Sequence, residues 1–394
     1  MAGSDRPSEL LRRREDPQRA GFVELLFDVV FVFAFTRLSE RLVEDISWRG
    51  LYQGVLLTAA MWWIWYRMAW TTNRYEPARP VIQLMVIGTM LGSLVLSAAL
   101  PGAFRDRGVI FASTYVAIQT IRHLWLVLLG GDRNAQLVSV RILLWALLSA
   151  VPWIIGMLTH GTARLIWWSI AVALDYAGGG LDFPTPRLGR AGLRGQKIAE
   201  EHLTERYRQV LIIALGETIL TSGIRFSPLG FERERTAALL VAFVITVLLW
   251  QIYFYRAGEL LPVAIAASRA PARVGEVASY SHLLMVTGVA LSGVGDNLII
   301  EHPLEHARAG WVLLILGGPA LFLVGRATLD YAVFSHVSWS RPIGVLFLAA
   351  LVPLTLDWLP LVVALLAATV LAGVAVSNII SWRLFPRSPG APFR

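Results

Sequence analysis

The chain has no cysteine among its 394 residues. That excludes disulfides, thiolate nucleophiles and cysteine-held metals. Lysine is nearly missing as well: Lys197 stands alone, and arginine supplies the rest of the basic charge. Charge of either sign is scarce, at 16% of residues, where a soluble domain carries about 25%. No Gly-rich phosphate loop, nucleophile elbow or Asp-rich prenyl-transfer motif occurs, so nothing marks an ATPase or a serine hydrolase. Period-two alternation is also missing, which argues against a transmembrane β-barrel.

What is abundant is apolar. Hydrophobic residues make up 56% of the chain, and the mean hydropathy is +0.60. They fall in blocks of roughly 17–25 residues, each long enough to cross a bilayer core of about 30 Å. The fold class expected is all-α, a polytopic transmembrane helical bundle. Twelve spans are read near residues 20–38, 51–71, 80–100, 108–129, 138–159, 163–178, 207–225, 236–256, 277–299, 310–331, 341–358 and 361–381.

The net charge of +8 comes from arginines between the spans. That placement points to membrane topology and anionic headgroups, with the lipid bilayer as partner and no role for nucleic acid. With the N-terminus inside, inner segments hold about 23 Arg and Lys against about 10 in outer ones, so both termini are expected in the cytoplasm. No early apolar run leads to a small-residue cleavage site, so no cleaved signal peptide is expected. The domains read as a cytoplasmic segment 1–19, a six-helix membrane repeat 20–178, a linker 179–206, a second six-helix repeat 207–381 and a tail 382–394.

The repeat is read from shared spacings. LLSAVPWIIGML and LAALVPLTLDWL align Pro152 with Pro353, and WWIWYR and WQIYFYR align Arg67 with Arg256. Asp28 precedes Arg67 by the same interval that separates Glu217 from Arg256, and Arg122 matches Arg326 in the fourth span of each half. An even number of spans per half makes such a repeat parallel.

A charge inside a membrane faces the bundle interior and finds a partner or water. Asp28 and Glu217 are the central candidates, either paired with Arg67, Arg122, Arg256 or Arg326 or lining a path for a proton or cation. Asp175, Asp296 and Asp330 are further buried acids, whereas Glu24 lies close enough to the start of its span to reach the headgroups. His282 and His123 read as hydrogen-bonded core histidines or relay groups. His202 and Glu205 form an H-x-x-E pair, but one copy does not make a di-metal site. A surface ion-pair cluster with Arg206 is preferred, with no metal and no cofactor expected. Trp62, Trp63, Trp65, Tyr66 and Trp70 read as an interfacial aromatic belt, or alternatively as a pocket for a cation.

Three blocks resemble one family. VELLFDVVFVFAFTRLSE is similar to the opening helix of the bacterial low temperature requirement A family. EHLTERYRQVLIIALGETIL resembles its second signature, and SYSHLLMVTGVALSGVG its third. The likeness maps onto Glu24, Asp28, His202, Glu205, Arg206, Gly216, Glu217 and His282. One departure is Arg208, where the family carries glycine after the aromatic residue. The resemblance implies a multi-pass protein of the inner membrane and names no reaction. The leading expectation is a transporter or channel-like protein for a cation, a proton-coupled solute or another small molecule. The alternatives are an integral membrane enzyme acting on a lipid or isoprenoid, and a membrane scaffold or sensor.

Overall fold

The computed structural model describes residues 10–12, 19–129, 133–193, 198–254 and 257–384. Among them are thirteen α-helices and no strand, with two isolated bridges, Leu11 to Tyr75 and Thr185 to Gly189. The helices are α1 (Phe22–Glu44), α2 (Trp48–Arg74), α3 (Pro80–Ala99), α4 (Gly108–Leu128), α5 (Arg133–Leu158), α6 (Gly161–Gly180), α7 (Glu200–Phe226), α8 (Arg233–Phe254), α9 (Ala257–Ala267), α10 (Pro271–Glu301), α11 (Ala309–Phe334), α12 (Ser340–Leu354) and α13 (Pro360–Leu384).

Among the described residues, each segment read as a span contains an α-helix, although the one read over 341–358 is helical only to Leu354. Seven helical stretches among the described residues are long and apolar enough to cross a membrane: Pro80–Gly102, Arg133–Leu158, Glu200–Leu229, Arg233–Phe254, Pro271–Glu301, Ala309–Phe334 and Pro360–Ser381. The helices α1, α2, α4 and α6 fall outside that set, because charged side chains or tryptophans dilute their apolar character. With 15 residues, α12 reaches only about 22 Å at 1.5 Å per residue. Residues 257–267, read from sequence as part of a loop, form the short helix α9 around Pro262. An apolar run of that length has no periodicity to separate helix from loop.

The chain divides into two compact units, Met1–Arg41 with Tyr52–Arg206, and Leu42–Leu51 with Tyr207–Arg394. In the first unit, Pro80 opens α3 behind an extended Arg79, where its fixed φ suits a helix start and no N–H is missed. The tight link from α5 to α6 is held by Arg164. Its Nε donates to the carbonyls of Gly156 and Thr159 at 3.2 and 2.9 Å, and its NH1 donates to those of Ala103 and Arg105 at 3.0 and 2.8 Å. One guanidinium thus satisfies carbonyls that the ends of helices leave open. The core of this unit is aromatic, with ring centroids 4.4 Å apart for Tyr115 and Trp153 and 5.2 Å for Trp153 and Trp168.

The second unit is built on α10 and α11, which meet through small residues. A Cβ on Gly288 would lie 2.5 Å from the backbone nitrogen of Phe322, and one on Gly318 would lie 2.5 Å from that of Ser292. Where lipid supplies no hydrophobic drive between helices, close backbone approach of this kind carries the packing.

Candidate functional site

The first unit gathers five of the charged residues singled out in the sequence. Glu24 and Asp28 lie one turn apart on α1, while His202, Glu205 and Arg206 lie in the first two turns of α7. Arg206 NH2 donates to Asp28 Oδ1 at 2.7 Å, and Trp65 Nε1 on α2 donates to the same oxygen at 2.8 Å. The Arg206 guanidinium also stands 5.7 Å from the Trp65 ring centroid. All three side chains are fully buried. The pairing uses one carboxylate oxygen, and Asp28 Oδ2 and Arg206 NH1 have no hydrogen-bond partner among the described residues.

Glu24 is equally buried, at 1% exposure. Its carboxylate receives His202 Nε2 at 2.9 Å and the Gly21 amide at 2.8 Å, and Arg206 Nε lies 3.8 Å away. The other ring nitrogen of His202 lies 3.2 Å from Asn73 Nδ2, which also donates to the Ala199 carbonyl at 2.7 Å. Asn73 Oδ1 accepts the Ala199 amide at 3.2 Å, which fixes the orientation of the Asn73 amide. His202 Nδ1 is therefore the acceptor, and its ring hydrogen sits on Nε2, facing Glu24. Glu205 points elsewhere and accepts the Ala20 amide at 2.7 Å. The H-x-x-E pair thus divides its work, and no group of three His, Asp or Glu side chains converges as metal ligands would among the described residues.

Several expectations are corrected here. Asp28 pairs with Arg206, not with Arg67, Arg122 or Arg326, because α7 brings its first turns beside α1 across 178 residues of sequence. No periodicity within one element could report that. Glu24 does not reach the headgroups but is enclosed with His202. Most of the aromatic cluster of α2 is no lipid-facing belt, since Trp62, Trp63, Trp65 and Tyr66 are at most 5% exposed, while Trp70 is partly exposed. Trp65 serves instead as a donor to Asp28. Asn73 was not foreseen from sequence; a single amide at a helix end carries no signal there.

Elsewhere in the first unit, Arg67 stands 5.9 Å from the Trp63 ring centroid and 5.1 Å from that of Phe183. Arg122 NH2 donates to Gln119 Oε1 at 2.6 Å and to His123 Nε2 at 3.3 Å. Asp175 Oδ2 accepts the Tyr115 hydroxyl at 2.8 Å. Two small cavities flank these groups. The larger, about 50 Å³, is lined by Arg67, Asn73, Arg74, His123 and Ser139 among others. The smaller, about 10 Å³, shares Arg67 and His123 with it and reaches Asp175.

In the second unit, Glu217 is buried on α7. His282 is a core histidine: its Nδ1 donates to the Ala278 carbonyl at 2.6 Å, its Nε2 accepts the Tyr253 hydroxyl at 2.8 Å, and its ring stacks on Tyr207. Arg326 pairs with Asp330, which is shared with Arg341 Nε at 3.0 Å. Asp296 is buried, and its Oδ2 has no hydrogen-bond partner among the described residues. Arg256 lies outside the described residues.

The profile of the bacterial low temperature requirement A protein family matches residues 19–376. An uncharacterized protein of Rhizobium meliloti (strain 1021) is 32% identical over 386 residues, covering 96% of this chain and 93% of that protein. No solved structure matches the chain. The opening helix, the H-x-x-E-R block and the His282 helix all lie inside the matched region, and the chain belongs to the bacterial low temperature requirement A family.

Proposed function

We propose that this protein moves a small solute or ion across the inner membrane through a bundle of two parallel six-helix repeats, with both termini in the cytoplasm. The observation that carries the reading is the incomplete pairing of Asp28. A scaffold would gain most from a closed bidentate clamp on every buried acid. Here Asp28 holds Arg206 through one oxygen and leaves an acceptor and a donor unused. Such a pair can take up water or a proton without being dismantled. It also adjoins a polar chain: Arg206, Glu24, His202 and Asn73 lead to the cavity lined by Arg67 and His123.

The enzyme reading is less well supported. The aromatic cavity beside Asp175 holds about 10 Å³, room for one water but not for a lipid. The duplication gains support from a shared contact. Arg122 NH1 on α4 reaches the Ile64 carbonyl on α2 at 3.5 Å, and Arg326 Nε on α11 reaches the Ile252 carbonyl on α8 at 3.0 Å. Each half thus ties its fourth span to the backbone of its second.

The test is flux in proteoliposomes across a panel of cations, protons and small organic solutes, comparing wild type with Asp28→Asn and Glu217→Gln. The expected outcome is flux by the wild type and at least a tenfold loss in Asp28→Asn. A protein that passes nothing in the panel, or variants that match the wild type, would remove the transport reading.

A further inference from the structure

We propose that the larger cavity of the first unit is a binding site for a small oxyanion, the carboxylate or phosphate group of a solute. The proposal rests on the transport reading for its purpose, but the binding it predicts does not require flux.

The wall chemistry carries the argument. Two guanidinium side chains, Arg67 and Arg74, line the cavity together with His123, Asn73, Thr71 and Ser139, and among the described residues no carboxylate lines it. In an apolar bundle, a cavity with two cationic walls and no acid among its described ones favours an anion over a cation. Arginine is also the side chain whose fork matches carboxylate and phosphate oxygens. Arg67 is anchored for this: its guanidinium stands over the rings of Trp63 and Phe183, so little freedom remains to be lost on binding.

His123 adds a second, independent observation. It is 2% exposed, and its Nε2 accepts a hydrogen bond from Arg122. The ring hydrogen therefore sits on Nδ1, which has no partner among the described residues. A buried N–H donor without an acceptor is rare in folded proteins. In a cavity with two arginines, the complement is an oxygen carrying negative charge. The volume, about 50 Å³, holds roughly four waters at 10–15 Å³ each. That is room for a carboxylate or phosphate head and not for a bulky organic body. Asn73 couples the site to the network already described, since its amide reaches His202, which holds Glu24.

The experiment is calorimetric titration, with thermal unfolding alongside, of the full chain in an uncharged detergent at constant ionic strength. The probes are sodium phosphate, sodium succinate and dihexanoyl phosphatidylglycerol. Saturable binding of at least one probe is expected, weakened at least tenfold by Arg67→Gln and by Arg74→Gln, with part restored in Arg67→Lys. Arg235→Gln, a partly buried arginine of the second unit beside Glu232 and far in sequence from the cavity lining, should bind as the wild type does. Should Arg67→Gln fail to fold, judged by its unliganded melting and its gel-filtration profile, the partly exposed Arg74 carries the test. Binding of the lipid alone, lost in Arg74→Gln, supports the oxyanion chemistry and assigns its source to a headgroup. Binding of phosphate or succinate assigns it to a free solute. No binding of any probe by the wild type, or equal binding by Arg74→Gln, overturns the proposal. Binding without flux would overturn the transport reading and leave this one standing.

Discussion

At Asp28 two costs compete. Removing a carboxylate and a guanidinium from water costs several kcal/mol per ion, which only good geometry repays. The 2.7 Å contact to Arg206 and the 2.8 Å contact from Trp65 return part of that cost, while Oδ2 and Arg206 NH1 return none. Breaking such a pair from one side leaves an uncompensated buried charge, at about 3–5 kcal/mol. Arg206→Met is therefore expected to lower the thermal midpoint in detergent sharply. Asp28→Leu combined with Arg206→Met should recover part of that loss, because neither charge of the pair then remains, while Glu24 still loses the neighbouring guanidinium. Strictly additive losses in the double variant would show that the two side chains do not act as a pair. Glu24 and His202 follow the same logic in milder form: with the ring hydrogen on Nε2, His202→Phe removes one donor from the Glu24 carboxylate and leaves it the Gly21 amide and Arg206.

Between elements, contact between α10 and α11 depends on glycines whose roles differ within a single dipeptide. A Cβ on Gly318 would press on the Ser292 backbone at 2.5 Å, whereas one on its neighbour Gly317 meets nothing within 4 Å. Gly318→Ala should cost about 1–3 kcal/mol through overpacking. Gly317→Ala should be neutral or raise stability by up to about 1 kcal/mol, since alanine is the better helix former. Thermal unfolding of the two variants side by side checks the interface; equal behaviour would mean the helices are not packed this closely. Twelve helices were legible as apolar blocks, because the length and composition of a span are local properties. The eleven-residue α9 was not, because a short apolar run carries no period of its own. The role of the tryptophans in α2 was misread for a related reason: composition reports that aromatics cluster, not which way the helix turns them.

For the whole molecule, the absence of cysteine is a practical gift. Any single introduced cysteine reports its own accessibility, with no background to remove. Pro186 and Ser227 are both exposed and flank α7. With both termini inside, Pro186→Cys should react with a membrane-impermeant maleimide only after the cells are opened, and Ser227→Cys in intact cells. The reverse pattern would invert the proposed orientation, and labelling of both from one side would deny that α7 crosses.

The sequence by itself determined the all-helical membrane build, the family and most members of the site: Glu24, Asp28, His202, Glu205 and Arg206 were each visible as polar residues in apolar or signature segments. That follows because the cost of a charge in lipid depends on its own segment, whatever surrounds it. Only the tertiary structure decided the partners. Asp28 meets Arg206 across 178 positions, Asn73 orients His202, and Arg67 meets aromatic rings and a cavity wall. Electrostatic pairing falls off over a few ångströms, so which charges meet is fixed by helix packing, and spacing along the chain holds no record of it.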